Sequence, residues 1–192
     1  MTDPGRPPID LPDPPLADAA TGIVLRPWRD TADDAGALLA AWADPAIVAV
    51  DRVPADTSPA AAVRWLRAEP ARRAAGACLD LVVAPASGDA AVLGEIGLRN
   101  VDRGRRRAEV SWWTLAGHRG RGLATAGARL VVGWALSDAV GLVQVWCRIP
   151  PGNPASAAVA RGAGLVPLGT AAGVAVWARA APRRASSHAG RR

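Results

Sequence analysis

HRGRGLATAGARL, residues 118–130, places arginines and glycines where a core would take valine or leucine, directly ahead of a segment with helical periodicity. Leu123, Gly127, Leu130, Val131 and Trp134 share one face at that spacing, which predicts a helix from Leu123 to about Ser137. The first turn of a helix presents backbone N–H groups without partners, and the helix dipole favours negative charge there. Gly120 and Gly122 would let this backbone come close to a ligand, and Arg119 and Arg121 would add charge-assisted contacts to phosphate. No Lys-Ser or Lys-Thr pair follows the glycines and no G-x-G-x-x-G opens a βαβ unit, so neither common nucleotide loop is present. Taken alone, these residues also read as a loop that merely caps the helix.

Working outward, the segments before the loop have the period of strands. Cys78–Ala84, Ala91–Val101 and Arg107–Leu115 are β-branched or aromatic runs separated by the turn sequences PASGD and DRGRR, which predicts three consecutive antiparallel strands. Earlier still, Ile23–Trp28 reads as a short strand ended by Pro27. Two helices follow it, one carrying Leu38, Leu39 and Trp42 and a second with Ser58 as N-cap and Pro59 at its first position. After the loop come a strand at Leu142–Ile149, a short helix capped by Asn153, and a last strand at Gly173–Ala180. A helix between the strands at 107–115 and 142–149 is a crossover, so those two should run parallel.

With 192 residues the chain fits one domain, predicted at 21–180, between a Pro- and Asp-rich segment at 1–20 and an Arg-rich tail at 181–192 that lack the apolar surface to order themselves. No apolar run is long enough for a membrane span and no secretory signal opens the chain, which makes a cytoplasmic location the expectation. The net charge of +6 comes largely from four arginines in the tail, with no concentrated basic face, and this argues against nucleic acid as a partner. Cys78 and Cys147 sit in apolar runs without C-x-x-C spacing, His188 lies in the tail and His118 has no neighbouring acid, so no metal is expected.

Arg119-Gly120-Arg121-Gly122-Leu123-Ala124 matches the (Q/R)-x-x-G-x-(G/A) pattern of the GNAT N-acetyltransferases. AEVSWWTLAGHRGRGLAT resembles that family's fourth strand and its run into the loop. GNPASAAVARGAGL resembles the N-P-x-S segment of the RimJ/RimL-type branch, the ribosomal-protein-alanine acetyltransferases, and LRPW near the start fits the same branch. The resemblance covers about residues 22–178. It implies an α/β (α+β) fold with a mixed, mostly antiparallel central sheet, flanked by helices and splayed into a V between the fourth and fifth strands. It further implies acetyl-CoA as cosubstrate, with its pyrophosphate on residues 119–124, its pantetheine arm along Thr114 and Leu115, and its adenine end toward the helix beginning at Asn153.

The implied reaction is direct acetyl transfer to a primary amine, either a protein N-terminus or a small molecule, which needs a base within reach of the amine proton. Glu69, Glu95 and Glu109 are the three glutamates, and the last two lie on the central strands. A turn near Arg103 would set Glu95 opposite residues 110–111, so that Glu95 and Glu109 approach one region and are the candidate bases; ion-paired strand residues are the alternative for both. The tyrosine that many GNAT enzymes use as acid has Ala160 at its position, and the chain has no Tyr. Ser156 matches the N-P-x-S serine and is the candidate partner of the sulfur. Asp44, Asp51 or Asp56 at the cleft mouth would favour a cationic acceptor. A CoA-binding module without turnover fits the same loop and N-P-A-S segment.

Overall fold

The computed structural model describes residues 10–182 apart from Arg52, Ala77 and Asp89; His188 and the arginine tail from 183 on lie outside the described residues. In chain order the elements are β1 (Ala17–Asp18), β2 (Ile23–Pro27), α1 (Ala32–Ala43), α2 (Pro45–Val48), α3 (Pro59–Ala74), β3 (Leu79–Pro85), β4 (Gly94–Asp102) and β5 (Arg107–Thr114). They continue with α4 (Leu123–Ala135), β6 (Gln144–Ile149), α5 (Pro154–Gly162), β7 (Val166–Ala171) and β8 (Val174–Ala180). The strands form one sheet in the order β1-β2-β3-β4-β5-β6-β8-β7. Every neighbouring pair is antiparallel except β5 and β6, which run parallel as the crossover through α4 requires.

Local chemistry accounts for the helix starts. Ser58 accepts from the N–H of Ala61 and Pro59 occupies a position that has no hydrogen bond to lose, so α3 begins there. Thr31 caps α1 in the same way, and Asp44 caps α2 through Ala46 at 2.9 Å. Arg26 reaches from β2 to the start of α1, making paired bonds of 2.7 and 2.8 Å with Asp34. Asp34 is 1% exposed, and breaking such a buried pair by removing one partner costs about 3–5 kcal/mol.

The pleat of β4 divides the core. Ile96 and Leu98 belong to the cluster under α4, with Val110, Val131 and Val132, whereas the alternate residues Glu95, Gly97 and Arg99 turn to the face that α1 and α3 cover. That second layer is built from Trp28, Leu38, Trp42, Leu66, Val82 and Trp113.

Three elements depart from the sequence reading. The stretch 10–20 was expected to be without structure, yet Ala17–Asp18 pair with β2 and Asp18 is held by Arg129 of α4. Leu11 and Leu16 pack against the α4-side core, so two leucines order a segment whose overall composition is polar. Asp44-Pro45 begins an extra turn, α2, between the two helices that the sequence marks. β7 carries Pro167 and Gly169 and is exposed along its whole length, so no alternation marks it; it exists because β8 offers an unpaired edge. The loop helix ends at Ala135, just short of the predicted Ser137.

At Gly127 α4 lies close against the sheet. A Cβ there would lie 2.7 Å from Cγ1 of Ile96, a stiff branched residue, whereas a Cβ at Gly133 would meet nothing within 4 Å. Gly127→Val is expected to lower the unfolding free energy by about 1–3 kcal/mol, and Gly133→Ala to raise it by up to about 1 kcal/mol. Denaturant titration of the two variants beside the parent chain checks both signs.

Candidate active site

β5 and β6 are paired at only three positions, Arg107↔Gln144, Ala108↔Val145 and Glu109↔Trp146. Beyond them β5 stays on β4 as far as Gly94↔Thr114, and β6 stays on β8 as far as Ile149↔Ala175, so the two strands diverge and a V opens between them. The N–H of Leu115 bonds the carbonyl of Leu93 at 3.0 Å. Antiparallel alternation then directs Trp113 to β4 as well and leaves the backbone groups of Trp112 and Thr114 facing the opening. Leu115, expected beside the cofactor, therefore has its N–H committed to Leu93, and Trp112 takes its place on the cleft edge.

The loop after β5 meets the same opening. Gly120 and Gly122 have φ of +74° and +75°, a left-handed backbone that glycine adopts without strain. Gly122 is the N-cap of α4 and no side chain caps that helix, so the N–H groups of its first turn remain available. Gly120 to Ala124, with Thr114 and Ser156, border a cavity of about 420 Å³. Across it, Asn153 caps α5 by accepting from the N–H of Ser156 at 2.9 Å.

The two loop arginines differ. Arg119 borders the cavity and is tied down, donating from Nη2 to Asp44 at 2.5 Å and from Nε to the Thr114 carbonyl at 3.0 Å. It is a strut between the loop and α2. Arg121 has no carboxylate partner among the described residues and lies against His118 Nδ1 at 3.3 Å.

A second cavity of about 390 Å³ adjoins the first, sharing Trp112, Asn153 and Ser156 with it. Glu109 and Ser111 border it. Both oxygens of Glu109 accept from Arg148, at 3.0 Å each, and Oε2 also accepts from Asn100 at 2.6 Å.

Glu95 stands elsewhere. It pairs with Trp113 rather than with residues 110–111, while Glu109 pairs with Arg99, because the hairpin turns over residues 103–106 rather than at Arg103 itself, and a bulge between Arg99 and Asp102 then moves the register back by one residue. The two glutamates share a face but not a region, and Arg99 lies between them. Glu95 borders a third cavity of about 400 Å³ beneath α1 and α3. Its carboxyl accepts from the indole N–H groups of Trp28 at 2.9 Å and Trp113 at 3.2 Å, with Arg99 Nη2 at 3.4 Å. The LRPW stretch is thereby explained: Leu25 is core, Arg26 holds α1, and Trp28 holds Glu95.

The acids considered for a cationic acceptor are already neutralised. Asp44 is paired with Arg119, Asp51 with Arg99 and Asp56 with Arg64. No cluster of metal-ligating side chains occurs among the described residues, and no helix of these residues is long and apolar enough to cross a membrane. Ala160, at the position of the absent tyrosine, is fully buried core.

Burial pushes the Glu95 carboxyl up to about 8, and the charges of Asp80 and Asp51 add to the rise while Arg99 and the Trp28 hydrogen bond oppose it. Folding raises its proton affinity, so the stability it contributes is complete below its unfolded value near 4.5 and is lost as the pH climbs to about 8. Unfolding free energy should therefore fall with rising pH across that window, by up to about 1.4 kcal/mol per unit, and flatten above it. Glu95→Gln should lack this slope, as denaturant titrations at stepped pH will show.

Comparison with known proteins fits this geometry. Among solved structures, RimJ from Mycobacterium smegmatis, in complex with CoA-disulfide, superposes with a TM-score of 0.71 at 23% identity, covering 87% of this chain and 86% of that one. A ribosomal-protein-S5-alanine acetyltransferase from Vibrio fischeri gives a TM-score of 0.71 at 15% identity, covering 87% and 96%. The microcin C7 self-immunity acetyltransferase MccE, in complex with acetyl-CoA and AMP, gives 0.70 at 15%, covering 83% and 92%. At these identities the likeness is one of fold. No curated protein sequence matches the chain. The family model for the acetyltransferase (GNAT) domain matches residues 23–166, and the chain belongs to that family.

Proposed function

We propose that this protein transfers the acetyl group of acetyl-CoA directly to a primary amine, on a protein N-terminus or a small molecule. The observation that carries the reading is the convergence, in one cavity, of an uncapped helix N-terminus with the outward-facing backbone edge of a strand released from its neighbour.

Each group follows from its position. The first-turn N–H groups of α4, from Leu123 and Ala124, and the glycine loop hold the pyrophosphate, with Arg121 supplying positive charge. Arg119 acts on this site through geometry, fixing the loop to Thr114 and Asp44. The Trp112 and Thr114 edge offers strand-like hydrogen bonds to the pantetheine arm. A backbone N–H there also polarises the thioester carbonyl, a role for preorganised donors rather than for a particular side chain. Ser156, whose hydroxyl carries no protein hydrogen bond among those described, meets the departing sulfur, and Asn153 holds the helix that presents it. Glu109, anchored by Arg148 and Asn100, orients the acceptor amine at the cleft wall. Glu95 acts from behind that wall, holding Trp28 and Trp113 in place.

Gly122→Val introduces a branched side chain at φ +75° and should weaken acetyl-CoA binding at least about tenfold, equivalent to about 1.4 kcal/mol. Calorimetric titration measures this, and an unchanged Kd would remove the assigned phosphate role. CoA release across a panel of amines and N-terminal peptides tests the transfer itself. Tight acetyl-CoA binding with no turnover on any acceptor would leave a cofactor-binding module in its place.

A further inference from the structure

The third cavity, about 400 Å³ beneath α1 and α3, has no part in the reaction as described above. It adjoins both of the others. Ile47 and Trp113 border it and the cofactor cavity, while Asp51, Arg99 and Asn100 border it and the cleft that holds Glu109 and Ser111. A substituent on an amine seated beside Trp112 and Ser156, which border both of the first two cavities, reaches this space past Asp51 and Arg99. Protein interiors keep few voids larger than a water molecule, and a space of this volume lies in the range of ligand pockets.

The wall is apolar toward the helices, with Leu38 and Trp42 from α1, Ile47 from α2 and Trp65 from α3, and Trp113 of β5 also borders the space. Three indole rings on one cavity favour an aromatic guest, through apolar burial and through edge-on or offset ring contacts. The charges on the wall balance. Arg99 is paired with Asp51, and Nη2 of Arg72 lies 3.8 Å from Asp80, which also accepts from the Cys78 thiol. Glu95 accepts from Trp28 and Trp113, and burial keeps it protonated near neutrality. No carboxylate bordering the cavity is left over for a cationic guest, and a charge brought there would lose its hydration without gaining a partner.

We propose that this cavity receives the side chain of the acceptor and selects amines that carry an aromatic side chain on the carbon bearing the nitrogen. The inference rests on the transferase reading and names the substrate class of the same site. With the aromatic group inward past Asp51 and Arg99, the rest of the acceptor leaves along the outer wall of the cleft, by Arg148, Pro150 and Val174. The donor is then held by the loop and α4, and the acceptor is chosen by α1, α2 and α3.

Phenylalaninamide, alaninamide and argininamide differ in that side chain alone. The parent protein should acetylate phenylalaninamide with a kcat/KM at least about tenfold above that for either of the others. Ala41 and Val53 border the cavity and belong to neither the cofactor site nor the cleft. Ala41→Leu and Val53→Phe each add bulk to the space and should raise KM for phenylalaninamide at least about tenfold, while kcat/KM for alaninamide and the acetyl-CoA Kd stay within about twofold of the parent values. Thermal unfolding establishes that each variant is folded. Calorimetric titration of the three amides into parent protein saturated with CoA needs no variant and should show phenylalaninamide binding most tightly. Equal rates on the three amides, a preference for either of the other two, or a preference for phenylalaninamide that survives both substitutions in folded protein overturns the pocket and leaves the transferase reading intact. Selective binding of phenylalaninamide without turnover of any amine supports the pocket and overturns the transferase reading. Neither turnover nor selective binding overturns both.

Discussion

Everything at the site depends on β5 and β6 ceasing to pair after Glu109 and Trp146. Two parallel strands that continued together would satisfy each other's backbone groups and leave nothing for a ligand. Because they part, the edges at Trp112 and Thr114 on one side and beyond Cys147 on the other lose their strand partners, a state a protein tolerates only where water or a ligand completes the bonds. Each strand is held to its own outer neighbour, β4 or β8, so the opening is a product of the sheet and not of a mobile loop. α4 and α5 then deliver their N-termini to the two sides of the gap.

The pleat assigns the faces of that opening different work. On the α4 side Ile96, Leu98 and Val110 are packed tightly enough that Gly127 has no room for a methyl group. On the other side the same strands present Glu95, Gly97, Arg99, Glu109 and Ser111 to a layer rich in tryptophan. Polar groups on this face survive burial because each meets a specific partner: Glu95 meets two indole N–H groups, Arg99 meets Asp51, and Glu109 meets Arg148. Arg99 is held in its charged form chiefly by its hydrogen bonds to Asp51, against the cost of burial. The oxygens of Asp80 and Ser111 that lack such partners stand out for that reason.

Arg119 illustrates how the fold aims a side chain whose position the sequence sets. Its place in the loop is set by sequence, but its guanidinium is aimed by Asp44, which stands 75 residues away and at the same time caps α2. A loop read in isolation has its charges free for phosphate. Within the fold one of them joins the loop and the end of β5 to Asp44 at the start of α2.

What the sequence determined by itself is local. Hydrophobic period and the Ser58-Pro59 and Asn153 caps each depend on a few neighbouring residues, and the elements they mark appear where expected. The same is true of the parallel crossover, which follows from one helix lying between two strands. Tertiary structure decided the rest. β7 has no burial pattern of its own and needed the edge of β8, and the register of the β4–β5 hairpin was set by a turn over residues 103–106 together with a bulge that no composition announces. That register places Glu95 inward at Trp28 and Glu109 at the cleft with Arg148, a residue 39 positions further along the chain. Which carboxylate meets which partner is a matter of long-range register, and short-range propensities carry no information about it.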